Sequence, residues 1–236
     1  MTEFWVYFTA RPLLWIVLTL AAFMFSREIN RRLGGSSLFH PVLISMAILI
    51  VLLVATDTSY QTYFEGAQFI HFLLGPATVA LAVPLYAYFD RIRENWLPIL
   101  VAVLVGSPFA VISATIIAWA MGAERETMLT MAPKSVTSPI AIGIVEKIGG
   151  DPSMAAGIVL VTGMIGCVLA PWVFRLCRIK DAAARGFAMG LAAHGFGTAQ
   201  ALSMGALIGA FAGLAMAVNG LVTAFVLPLL VSLVSV

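Results

Sequence analysis

Apolar residues collect into eight runs along this chain, at about residues 4 to 25, 42 to 55, 69 to 89, 97 to 121, 128 to 149, 152 to 174, 186 to 203 and 206 to 235, with short polar connections between them. Most are long enough for a helix across a bilayer, which needs roughly 20 residues. Hydrocarbon offers no water to unpaired backbone groups, so each full crossing must be a helix or be shielded by other helices. The pattern predicts an all-α multi-pass membrane protein. Glu3 precedes the first run and Arg11 interrupts it, with no positive region leading in, so it reads as a first helix rather than a secretory signal. Several runs carry helix breakers: Gly75, Pro76 and Pro84 in the third, Pro133 through Pro139 in the fifth, Gly195 and Gly197 in the seventh. Breaks at membrane depth survive only against protein or a wet cavity.

Lys and Arg in short loops stay on the cytoplasmic side. Arg27, Arg31 and Arg32 follow the first run, Arg91 and Arg93 the third, and Arg175, Arg178, Lys180 and Arg185 the sixth. With the N-terminus outside, the first four runs cross without strain. A crossing fifth run would then put the last four cations outside, so residues 122–151 are expected to enter and return on the outer side, although Glu146 and Lys147 also suit a broken crossing helix. About seven spanning helices and one re-entrant or broken hairpin result. Within a single membrane domain, 1–236, a peripheral first helix and basic loop (1–41) precede two candidate inverted three-helix repeats, 42–121 and 152–236. Gly75-Pro76-Ala77-Thr78 and Gly195-Phe196-Gly197-Thr198 would be their broken centres. Inverted repeats of this kind place a substrate site near the midplane.

Composition removes whole classes of function. Of 236 residues 61% are hydrophobic and 10% charged, against about 25% charged in a soluble domain, which excludes a soluble enzyme. The net charge is +2 and no basic run exceeds Arg31-Arg32, so nothing here follows a nucleic-acid backbone. Walker A, HExxH, CxxC and GxSxG sequences do not occur, and the acids fall in or beside loops. No catalytic residue, metal site or cofactor is expected. Cys167 and Cys177 read as small packing residues.

Chemistry then concentrates in two segments. Lys134 stands between Pro133 and Pro139 with Ser135, Thr137 and Ser138 beside it, and a lysine at the centre of a spanning helix costs roughly 2.5–3.5 kcal/mol. Donors freed by the prolines, the hydroxyls and the ammonium together suit a carboxylate; a lysine snorkelling from a surface turn is the other reading. His194 lies in otherwise apolar sequence ahead of Thr198 and Gln200, able to take a proton or to hydrogen-bond a substrate, or simply to join two helices. Gly186, Gly190, His194 and Thr198 would form one row of a helix. Thr78 is a candidate cavity lining. Ala201, Gly205, Gly209, Gly213 and Ala217 form a small-residue ladder for helix packing, within the chain or between copies.

Several stretches together are similar to the LrgB/CidB family of bacterial membrane proteins, which includes the LrgB-like part of plastid glycolate/glycerate transporters. They are Phe72 to Tyr86, Pro133 to Ala141, Arg178 to Lys180 with Ala184 to Gly186, and His194 to Ala199. The resemblance runs from about residue 41 to the C-terminus. It implies a multi-pass protein of the cell (inner) membrane without enzymatic activity. It further implies either transport of small carboxylates such as glycolate, glycerate or pyruvate, or an antiholin-like role in murein hydrolase export and lysis beside an LrgA/CidA-type partner. A homo-oligomer is expected. The chain departs from the family pattern at Gln200, where relatives have Arg, which leaves Lys134 and the helix ends to meet an anion.

Overall fold

The computed structural model describes residues 12–35 and 39–234; residues 1–11, where the first run opens, lie outside them. The described residues are helical with no strand: α1 (Pro12–Arg32), α2 (Pro41–Ala55), α3 (Tyr60–Phe72), α4 (Leu74–Ala80), α5 (Ala82–Ala87), α6 (Phe89–Glu94), α7 (Trp96–Ala120), α8 (Arg125–Met131), α9 (Ser138–Ile148), α10 (Pro152–Leu176), α11 (Ala182–Met204) and α12 (Ala206–Val234). Five stretches are long and apolar enough to cross a membrane: Leu13–Arg32, Tyr60–Ala87, Trp96–Ala120, Pro152–Leu176 and Ala206–Leu233. About seven were expected. The difference lies in α2, whose 15 residues reach only about 22 Å, and in α11, which does not run straight.

The chain divides into two compact units, Met1–Ala80 and Leu81–Val236. In the first, α1 packs on α2 and α3. Trp15 is fully buried and fills the space that a side chain at Gly66 would need. Its indole meets Tyr63 edge-on at 5.7 Å, and the Thr19 and Tyr63 hydroxyls lie 3.1 Å apart. After Phe72 the helix bends rather than stops. Leu73 keeps helical dihedrals, φ −66° and ψ −11°, and Pro76 lacks the N–H that would continue the ladder. All of α4 is exposed.

In the second unit, α12 is a spine of 29 residues, about 43 Å long. Its first half lies against α11. A Cβ on Gly186 would strike the Ile208 carbonyl and one on Gly190 the Ala212 carbonyl, so the start of α11 and α12 run parallel with their backbones nearly touching. Apolar burial supplies little drive between helices in lipid, and close backbone approach through small residues takes its place. The second half of α12 carries α9: Ile140 lies on Gly220, while Ala141, Ile144 and Ile148 share a core with Leu227 and Val159.

Two segments of this unit leave and come back. The Asp151 N–H donates to Thr130 Oγ1 at 2.8 Å, so residues 131–150 return to the level from which they set out. In α11 the chain reverses at His194. The Met189 carbonyl, about 12 Å from Gly197 in a straight helix, instead occupies the space beside Gly197. Met204, at the end of α11, shares a pocket with Arg178 and Arg185 at its start. Leu202 then packs on Gly209 and Thr198 on Gly213, so residues 195–204 run antiparallel to α12.

Candidate functional site

The first hairpin tip is the stretch from Ala132 to Thr137, where the prolines forbid helix. This non-helical backbone is inside the protein: Pro133, Ser135 and Val136 are buried and Lys134 half-buried. Two tight turns shape it, through Lys134 N–H to the Met131 carbonyl at 3.1 Å and Val136 N–H to the Pro133 carbonyl at 3.2 Å. The Lys134 ammonium donates to Ser135 Oγ at 3.4 Å and makes no ion pair with any described residue. Next to it α9 begins at Thr137, whose φ −70° and ψ 151° are those of an N-cap, yet no side chain caps the helix. By contrast, Asp151 caps α10 through Met154 N–H at 2.6 Å, and Asp181 caps α11 through Ala184 N–H at 2.8 Å. The first turn of α9 thus keeps open donors and the positive end of its dipole at the tip. Thr137 and Ser138 are half-buried there, and Pro139 is exposed.

The second tip is His194, at φ 40° and ψ −126°. These angles suit the first central residue of a II′ turn, a place for glycine, and a side chain there costs about 1–3 kcal/mol. The glycine is one position late: Gly195 follows, and nothing stands within 4 Å of where its Cβ would be. His194 is buried. Its Nε2–H donates to the Val159 carbonyl of α10 at 3.0 Å, and Phe196 meets the ring edge-on at 6.0 Å. Thr198 donates to the His194 carbonyl at 2.9 Å, closing the first turn of the returning helix. Gly163 makes room for both rings.

Asn219 joins the two tips. It sits at the middle of α12, 1% exposed. Its Nδ2 donates to the Ser135 carbonyl at 3.0 Å and to the Leu191 carbonyl at 3.2 Å, the latter freed where the helix ends before His194. Its Oδ1 accepts from Ser107 of α7 at 2.6 Å and from Thr223 at 3.4 Å. One amide therefore ties α7, the Lys134 turn, α11 and α12 together. The sequence alone does not disclose this junction, since each partner outside its own helix is far along the chain. A polar residue within an apolar run was the one visible signal.

Lys134, Ser135, Thr137, Ser138, His194 and Thr198 are thus gathered at the two tips, with Pro133, Gly195 and Gly197 shaping them. Gln200 is half-buried on the returning helix. Thr78, Gly75 and Pro76 belong to the other unit, where all three are exposed and the Thr78 hydroxyl donates to its own helix at Leu74 O, 2.7 Å. The row Gly186, Gly190, His194, Thr198 does not continue past the turn. The small-residue ladder spans two helices, since Gly205 at φ 154° separates α11 from α12, and its packing at Gly209 and Gly213 lies within the chain. Cys167 is buried as expected, whereas Cys177 is exposed.

The profile of the LrgB-like family matches residues 19–233. The chain is 37% identical over 216 residues to the uncharacterized protein YxaC of Bacillus subtilis (strain 168), covering 92% of this chain and 94% of the relative. It is 35% identical over 221 residues to the antiholin-like protein LrgB of Bacillus cereus (strain B4264), covering 94% and 96%, and equally to that of Bacillus anthracis (strain CDC 684 / NRRL 3495). No solved structure matches the chain.

Proposed function

We propose that this chain, which belongs to the LrgB-like family, is a membrane transporter of small organic carboxylates. The observation that carries this reading is the meeting of two hairpin tips at Asn219, where an ammonium that makes no ion pair with a described residue stands next to an uncapped helix start and the other tip carries a buried imidazole. Anions are drawn to a helix N-terminus, and broken backbone around a midplane site is how many transporters hold a substrate.

The reading includes a topology for the second unit. α7, α10 and α12 cross. Residues 131–150 re-enter from the side of Thr130 and Asp151, and residues 182–204 from the opposite side, so the seventh run is a second re-entrant hairpin rather than a crossing. Asn95 and Pro98 line one pocket with Asp181 and Ala184. That puts Arg91, Arg93, Arg175, Arg178, Lys180 and Arg185 at one end of the unit, the arrangement expected of a cytoplasmic face.

A second reading is favoured by the names of relatives, which bear on it more directly than on transport: an antiholin-like regulator of murein hydrolase release, working with an LrgA/CidA-type membrane partner. Proteoliposomes loaded with labelled glycolate or pyruvate separate the two. Transport predicts saturable flux above empty liposomes. Flux equal to the blank, together with altered murein hydrolase release in cells that Lys134→Ala leaves intact, would decide for the regulator.

A further inference from the structure

A second polar site stands apart from the hairpin tips, at the corner where α10 ends and α11 begins and ends. A pocket of about 360 Å³ there is lined by Arg175, Arg178, Lys180 and Arg185, with Phe174 and Met204 as its apolar wall. No acid lines it, and none of the four cations makes an ion pair with a described residue. Asp181, the acid within this loop, spends Oδ1 on capping α11. Two of the cations are held in place. Arg185 is half-buried, donates from Nε to the Ile179 carbonyl at 2.8 Å and lies over the Phe174 ring at 5.8 Å. Arg175 lies over Trp172 at 5.7 Å. Arg178 stands at φ 56°, a left-handed position that costs a residue with a side chain and turns the chain sharply beside the pocket.

Four like charges round one small pocket repel each other, and an anion is what relieves them. The surroundings say what the anion carries. On the neighbouring face of α10, Leu169, Trp172, Val173 and Leu176 are all exposed, Leu176 at 84%. An exposed tryptophan beside basic residues marks a lipid headgroup level. Basic pockets between helices at that level take phosphate headgroups. We propose that this corner binds the phosphate of an anionic phospholipid, with its acyl chains along Leu169, Val173 and Leu176. The site fixes the end of the second hairpin to the bilayer surface, because Met204, at the end of α11, lines the pocket together with the arginines.

The test uses the full chain, purified in neutral detergent and freed of lipid, with adducts counted by native mass spectrometry. Its arms are dioleoyl phosphatidylglycerol, dioleoyl phosphatidylcholine and inorganic phosphate. Phosphatidylglycerol should bind at least about tenfold more tightly than phosphatidylcholine, and the preference should shrink in high ammonium acetate. Arg178→Gln with Lys180→Gln should lower phosphatidylglycerol binding by roughly tenfold, and Arg91→Gln with Arg93→Gln should not. Equal retention of the two lipids, or a preference unmoved by the Arg178 and Lys180 changes, overturns the proposal. Displacement of phosphatidylglycerol by inorganic phosphate overturns the lipid source and leaves a soluble-anion pocket. If the double variant does not fold, the wild-type salt dependence decides: a preference indifferent to salt contradicts it.

Discussion

His194 pays for its position in conformational strain, and its side chain must return something for that. The ring holds α10 through Val159 and meets Phe196 edge-on, which no glycine could do. His194→Gly removes strain and bond together, whereas His194→Ala removes the bond and keeps a side chain at positive φ. The alanine variant is therefore expected to melt below the glycine variant in detergent, by an amount equivalent to about 1 kcal/mol; the reverse order would mean the turn carries no strain. Asn219 is the other costly residue. Changing it to Asp keeps its shape but replaces the amide donor with a carboxylate beside two carbonyl oxygens. Loss of about 1–3 kcal/mol is expected for Asn219→Ala, and a larger loss for Asn219→Asp, each read from the midpoint of thermal unfolding.

Among the helices, close packing is carried by backbone more than by large side chains. Gly190 lets α11 and α12 meet at the Ala212 carbonyl, where neither side can yield, so Gly190→Ala should sharply reduce the yield of folded protein. Gly195→Ala meets open space and should be neutral or mildly stabilising. Measuring monodisperse protein by size-exclusion chromatography checks the contrast, and equal behaviour of the two would refute the packing. The same elements show what the chain discloses of its fold. The break between Met131 and Ser138 is legible because Pro133 and Pro139 each remove a donor from the helix ladder. The reversal at His194 is not, since histidine has no preference for that turn and the neighbouring Gly195 and Gly197 suggest a break without saying that the chain folds back. Gly75-Pro76 looks similar on paper, yet a proline that only bends an exposed helix leaves the same letters as one that ends it.

At the scale of the unit Leu81–Val236, two hairpins approach α12 from opposite ends and meet at Asn219, halfway along it. An anion held between their tips would contact both, so small movements of one hairpin against the other would open it to either side in turn. Asn219 was hidden from sequence reading for the same reason it matters: its bonds to Ser107, Ser135 and Leu191 span 112, 84 and 28 positions. Lys134 was visible because a charge among prolines in an apolar run is costly anywhere. The initial rate of labelled glycolate or pyruvate uptake into proteoliposomes, comparing wild type with Lys134→Ala at equal protein, tests this account most directly. It predicts saturable wild-type uptake and a fall of at least about tenfold in the variant, the loss of one charge-assisted contact. Saturable uptake at an unchanged rate without the Lys134 ammonium would contradict it.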